Sequence, residues 1–372
     1  MSPWWLAIAA TLPFAFGVVF VWRLELEGVD PSRATPVFDP DSVDRFVAAL
    51  TQRTGRAGLP PPVRIETGIE LQAIVFPGPH DVILTGHIWQ LYPPSAPRKL
   101  KCGVVFPDAV PVDDDVMRRA WRVDTPRGEV IGWYFRTTLY RRVDYAKFPI
   151  DERRVVLRMW HADPTEDVVL VPNFSAYHAM FPALQPGLRD RMQVPGWTVE
   201  TSEFSLATTE RRTGFGLPGF AAEGEAPELG FEVRLTRNFT DAFVSNLLPL
   251  MIVATLLFGV LMTASLDREK AEHHGFTSSA AYATNAALLF VALVGHLRIR
   301  EEVSTPQILY LEYFYFVAYF MILAVSVVVF ITATPGPHPR LIAYRDVLLP
   351  KLAYWPVSFA LFFVVTVRVF YG

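Results

Sequence analysis

Long uncharged apolar runs occupy the two ends of the chain, and short runs of alternating character fill the middle. Spanning a hydrocarbon core of about 30 Å takes about 20 helical residues. Five stretches approach or reach that length: Pro3–Trp22, Phe243–Ser265, Phe276–Leu297, Tyr313–Thr334 and Leu352–Val367. Between the first and second, runs rich in Val, Ile, Tyr, Phe and Trp are broken every 8–15 residues by Pro, Gly or Asp. That is the pattern of a β-sandwich. The strands it predicts are Arg64–Phe76, Asp81–Tyr92, Arg119–Asp124, Glu129–Tyr145, Arg153–Trp160, Val168–Val171, Gly196–Thr209 and Leu229–Phe239. The second alternates cleanly, with Ile83, Thr85, His87 and Trp89 on one face and Leu84, Gly86, Ile88 and Gln90 on the other.

The fold expected is a β + α membrane protein: an extracellular or periplasmic β-sandwich, then a four-helix transmembrane bundle, with an extra N-terminal hydrophobic helix. Residues 1–27 form an anchor or a signal helix, 28–62 a connector, 63–240 the sandwich and 241–372 the bundle. The first segment lacks a basic start and a clear cleavage site, which leaves a retained anchor and a removed signal both open. Within the connector, Asp41–Arg53 has the spacing of an amphipathic helix that Ser42 would cap. Residues 210–228, rich in Gly and Pro, read as a long loop between the last two strands. The later apolar segments are joined by the short connections 266–275, 298–311 and 335–351, which favours an antiparallel bundle. Arg268, Lys270, Arg340, Arg345 and Lys351 fit a cytoplasmic side for the first and third connections. Arg298 and Arg300, on the outer side, do not.

Composition narrows the function. The chain is 51% hydrophobic, and its mean hydropathy is +0.26. A net charge of −3 with no basic stripe gives no footprint for nucleic acid. Cys102 is the single cysteine, so no intrachain disulfide and no cysteine-based metal site can form. The eight histidines are scattered, His273-His274 is a lone pair, and no His-Glu-x-x-His, Gly-x-Ser-x-Gly or phosphate-loop motif occurs. No catalytic residue, metal or cofactor is therefore expected.

Several local patterns then line up in order. Phe148-Pro149-Ile150-Asp151 is preceded by Gly128-Glu129-Val130 and Trp133, and followed by Trp160-His161-Ala162-Asp163 and Pro195-Gly196-Trp197. Arg237 stands just before the second apolar run, which contains Asn246-Leu247-Leu248-Pro249. This series resembles the pentameric ligand-gated ion channels of the Cys-loop receptor superfamily, in a prokaryotic-type form without the loop disulfide. The resemblance covers about residues 60–372.

The resemblance implies a homopentamer in membrane lipid that passes inorganic ions when a small-molecule agonist, or a proton, binds outside. It implies a bacterial inner membrane with the β domain in the periplasm. The pore would be lined by Ser278, Tyr282, Ala286, Leu289, Leu293, His296 and Arg300, which follow steps of three or four along one helix. Leu289 and Leu293 would form a hydrophobic barrier, the alternative being ordinary helix packing. His296 would face the pore as a titratable group or hydrogen-bond to a neighbouring helix. Ser278, Ser279 and Ala280 at the inner end, with Glu272 further in, and Arg300, Glu301 and Glu302 at the outer, leave ion choice open. Coupling would run through Phe148, Pro149, Asp151, Arg237, Glu302 and Pro306, with Arg237 pairing to Asp151 or Glu302. The ligand site would use Trp160, Phe215 and Phe220, with Trp133 or Tyr134 from the neighbouring subunit, unless these aromatics are sandwich core. A non-conducting sensor or accessory subunit of the same fold is the alternative.

Overall fold

The computed structural model describes residues 3–27, 35–53, 62–140 without 98, 111 and 113, 145–178 without 165, 185–211 without 191, 224–267, 269, and 277–372 without 304. In chain order the elements begin with α1 (Pro3–Glu27), β1 (Thr35–Val37), α2 (Pro40–Arg53), β2 (Val63–Val75), β3 (Asp81–Tyr92), β4 (Val104–Val105) and β5 (Val116–Thr125). They continue with β6 (Gly128–Tyr140), β7 (Glu152–His161), β8 (Val168–Pro172), β9 (Trp197–Arg211) and β10 (Gly224–Arg237). The last helices are α3 (Phe239–Thr263), α4 (Ser278–Val303), α5 (Tyr310–Ala333) and α6 (Leu348–Tyr371). The chain divides into two compact units: residues 1–29, 144–151 and 238–372 in a helical one, 30–143 and 152–237 in a β-rich one.

The β-rich unit holds two five-stranded sheets, ordered β1-β9-β10-β7-β4 and β5-β6-β3-β2-β8. Period-two alternation sets which side of each strand is buried. On β10, Leu229, Phe231, Val233 and Leu235 are fully buried, while Glu228, Glu232 and Arg234 take the opposite face. On β3, Leu84, Gly86, Ile88 and Gln90 are buried between less buried Ile83, Thr85, His87 and Trp89. Register brings Phe231 opposite Phe204 of β9 and Leu157 of β7. Residues of both sheets, among them Ile69, Ile88 and Phe135 of one and Leu157, Phe204 and Phe231 of the other, join in a single hydrophobic core.

Several boundaries differ from those expected. The segment before β2 contributes β1, paired with β9 through Thr35 and Leu206, and α2, whose Val43, Val47 and Leu50 enter the core. Asp39, not Ser42, caps α2, since its Oδ1 accepts the Ser42 backbone N–H at 2.7 Å. Pro40 suits the first helical position, which makes Asp39 the cap and leaves Ser42 in the first turn. The loop expected at 210–228 is narrower, because β9 and β10 stay paired out to Arg211 and Gly224. Phe215 and Phe220 lie outside the described residues, as do Arg268, Lys270, Glu272 and the His273-His274 pair. The run Glu129–Tyr145 ends as a strand at Tyr140.

Five helices of the helical unit, α1, α3, α4, α5 and α6, are long and apolar enough to cross a membrane, so the chain reads as a membrane protein. α5 is the most enclosed. Leu257, Leu288, Met321, Val325 and Tyr354 join α3, α4, α5 and α6 in one core. In α3 a wide π turn at Phe243–Leu247 precedes Pro249, whose missing N–H excludes a regular bond to Ser245. α4 outlasts its apolar run and ends at Val303. Charge at Arg298–Glu302 closes the apolar stretch without breaking the helix, since Arg and Glu are good helix formers.

Candidate functional site

α4 carries two unlike faces. Ala281, Asn285, Leu288, Ala292, Ile299 and Val303 are buried against its neighbours. Asn285 donates to Ser326 Oγ of α5 at 2.8 Å, and Ser326 returns its own proton to Ile322 O. Tyr282, Leu289 and Leu293 are exposed, and Ala286 with them, while Ser278 is intermediate. An exposed apolar face on a helix of this length is expected to meet lipid or other protein.

Of the stripe expected on α4, His296 and Arg300 are turned to α5. His296 Nε2 lies 3.1 Å from Glu312 Oε1, its Nδ1 lies 3.1 Å from the Tyr319 hydroxyl, and its ring stacks on Tyr315 at 5.4 Å. Arg300 Nε sits 2.5 Å from the same Glu312 oxygen, and its Nη1 donates to the carbonyls of Thr305 and Gln307. Glu312 is fully buried, and its other oxygen accepts the Leu309 N–H at 2.9 Å, capping α5. Its carboxylate thus serves two side-chain donors on α4 and one backbone N–H in the turn that leads into α5. At 3.6 residues per turn, His296 falls only about 50° from the centre of the buried stripe, so its ring reaches α5.

The segment 145–151 sits in the same helical unit as this turn. Tyr145 N donates to Gln307 Oε1 at 3.1 Å, Tyr310 N to Ala146 O at 2.9 Å and Leu311 N to Phe148 O at 3.2 Å. The Phe148–Pro149 bond is cis. Phe148, Ile150 and Asp151 are buried. Glu302 and Pro306 are exposed. Arg237, in the β-rich unit, lays its guanidinium over the Trp197 ring at 4.3 Å, with Arg153 at 4.8 Å on the same ring.

In the β-rich unit the expected ligand aromatics separate. Trp133 is core: β6 buries Ile131, Trp133, Phe135 and Leu139 on one side, so it offers no free wall to a ligand. Tyr134 takes the opposite face, under Arg118 at 5.8 Å. Trp160 also faces away from the core, since its neighbour Met159 is the buried one. Its indole N–H donates to Glu228 Oε2 at 2.8 Å, which also accepts from Thr209 Oγ1 at 3.2 Å. Arg158 Nη1 stands 3.7 Å from that oxygen while its Nε donates to Asp108 at 2.6 Å. The Asp108 hydrogen bond raises the Arg158 pKa further. Along the same face burial, and then Glu232, hold the Glu203 carboxyl above the usual range.

A second aromatic surface was not expected from sequence. Trp89 lies opposite Gly68 and Trp121 opposite Gly132 across adjacent strands. Each ring lies over its glycine so closely that a Cβ would fall 2.3 Å and 2.0 Å from it. These rings, with His87, Glu70 and Tyr177, line a recess of about 290 Å³. His87 Nδ1 is 3.0 Å from Gln72 Nε2 and 3.9 Å from Glu70 Oε2. The glycines were the available signal, because a bare strand position beneath a cross-strand aromatic marks a ring lying flat. Glu312 was likewise legible as an acid at the head of an apolar helix. Among the described residues no cluster of three or more His, Cys, Asp or Glu can hold a metal ion. No family model matches the chain, and no curated protein matches it either.

Proposed function

We propose that this chain is one subunit of a homopentameric ligand-gated ion channel, a β-sandwich followed by a four-helix transmembrane bundle in a bacterial inner membrane, with the sandwich in the periplasm. The observation that carries this reading is the seating of residues 145–151 on the start of α5 by the Tyr310–Ala146 and Leu311–Phe148 backbone bonds. Asp151 is followed directly by Glu152, the first residue of β7. A displacement of β7 therefore pulls on a segment hydrogen-bonded to the turn that ends α4. A device that converts binding into helix motion needs such a link, with two arrangements that differ in their contacts.

The exposed α4 face of Ala286, Leu289 and Leu293 supports the pore half of the reading. Five copies around an axis would bury it, and a leucine ring closes a narrow pore by dewetting. The ligand half draws on Trp160 with Glu228 and on the recess of Trp89, Trp121 and Glu70. Both present ring faces beside a carboxylate, which suits an organic cation. The exposed Tyr282 is bulky for a pore and favours the second reading, an assembled sensor that does not conduct.

The first test is mass in mild detergent and in lipid nanodiscs. Five times the 41.9 kDa chain, about 210 kDa of protein, is expected. A persistent monomer or dimer overturns both readings. Agonist- or pH-evoked current from the pentamer in bilayers separates a channel from a sensor.

A further inference from the structure

The C-terminal end of α1 is built into the corner where α5 begins. Trp22 Nε1 donates to the Tyr310 hydroxyl at 2.8 Å, and that hydroxyl lies 2.6 Å from Thr366 Oγ1 of α6. The Trp22 ring also meets Phe239, the first residue of α3, at 5.5 Å and Phe314 of α5 at 6.3 Å. One turn on, Glu25 Oε2 pairs with Lys147 Nζ at 2.7 Å, and the ammonium lies 5.3 Å from the centre of the Phe370 ring. Lower down, α1 packs on α6 through Gly17, where a Cβ would come within 2.5 Å of Phe363, and Val18 and Val21 beside it are buried.

These contacts differ in kind from those of a helix that only passes through the membrane. Tyr310 is 1% exposed, and a buried hydroxyl or indole N–H that loses its partner is costly. Tyr310 also gives its backbone N–H to Ala146, and Lys147 is the next residue. Trp22 and Glu25 thus reach the two sides of one joint, the first from α5 and the second from the loop itself.

We propose that α1 remains in the assembled protein as a fifth, fixed helix and that Trp22 and Glu25 position the 145–151 segment against the first turn of α5. Both are positioning residues, acting through Tyr310 and Lys147. The proposal draws on the channel reading only for why the segment matters. Its test does not depend on current.

Intact mass of the full chain purified from membranes is measured first, and retention of residues 3–27 is expected. Hydrogen exchange is then followed for the amides of 145–151 and 309–312 in Trp22→Phe, Glu25→Gln and a control, Leu12→Ala, whose side chain is exposed. Trp22→Phe and Glu25→Gln should each speed exchange of these amides about fivefold, the scale of one hydrogen bond, and Leu12→Ala should leave it unchanged. In a Lys147→Met background the Glu25→Gln effect should vanish. A mature protein without α1, or unchanged exchange in both variants, overturns the proposal. Accelerated exchange in a protein that passes no current upholds it and removes only the channel reading.

Discussion

Arg300, in the last turn of α4, holds the carboxylate of Glu312, in the first turn of α5, at 2.5 Å. The acid is wholly enclosed, whereas the guanidinium is 38% exposed. Removing one partner of a buried pair leaves a charge without compensation and typically costs about 3–5 kcal/mol. Water around Arg300 lowers this to about 2 kcal/mol. Arg300→Met and Glu312→Met should therefore together reduce thermal stability in detergent by less than the sum of their separate effects. Losses that add fully in the double variant would show that the ion pair is not what holds this corner.

Leu289 is 43% exposed on α4, so replacing it should leave the fold of a single chain intact. On the channel reading a polar ring at this height holds water where the leucine ring expels it. Leu289→Ser should raise current in the absence of agonist by about tenfold or more. Bilayer recordings in which Leu289→Ser is as silent as the wild type would remove Leu289 from the barrier.

Glu228 is nearly buried and serves Trp160, Thr209 and Arg158 together. Glu228→Ala strands the Trp160 indole N–H, and an unmade buried bond costs about 1–3 kcal/mol. The expected result is a lower melting temperature together with red-shifted tryptophan emission, which Trp160→Phe in the same background should cancel. Emission unchanged by Glu228→Ala would mean that Trp160 is held by something else.

His161, at the end of β7, has its pKa lowered, chiefly by burial. Its Nδ1 accepts the Asp163 N–H at 3.1 Å, while its buried Nε2 has no hydrogen-bond partner. The unfolded chain takes up the proton near pH 6.5, above the folded value. Stability is therefore whole above the unfolded pKa and falls as pH drops from there through the folded pKa. Melting curves between pH 7.5 and 5 should show a decline in the wild type that is smaller in His161→Gln. Equal declines in the two proteins would assign the pH dependence to other groups.

The apolar helices and the β-rich middle were legible because both signals are periodic and local. Leu229, Phe231, Val233 and Leu235 announce a buried strand face without any partner in view. What sequence does not carry is the partner. Trp133 and Trp160 look alike as strand aromatics, yet one step of register sends Trp133 into the core and leaves Trp160 on Glu228. His296 sits on the edge of the α4 stripe nearest α5, where a helical wheel cannot tell a pore from a neighbour. Strands as short as β1 and β4 exist only through the ladders they join. The Trp89 and Trp121 recess depends on glycines one strand away, whose bare positions show in the sequence while their pairing with the rings does not.

Trp22 and Tyr310 are separated by 288 residues of chain. During synthesis at about 5–20 residues per second, the helix that bears Trp22 exists for roughly a quarter of a minute to a minute before its hydroxyl partner is made. Over that time Lys147, the partner of the Glu25 carboxylate at the same end, is made about midway, well before α5 and α6. The partners of α1 are thus made in the order Lys147, Tyr310 and Thr366, and the hydroxyl chain that holds Trp22 is complete only with α6.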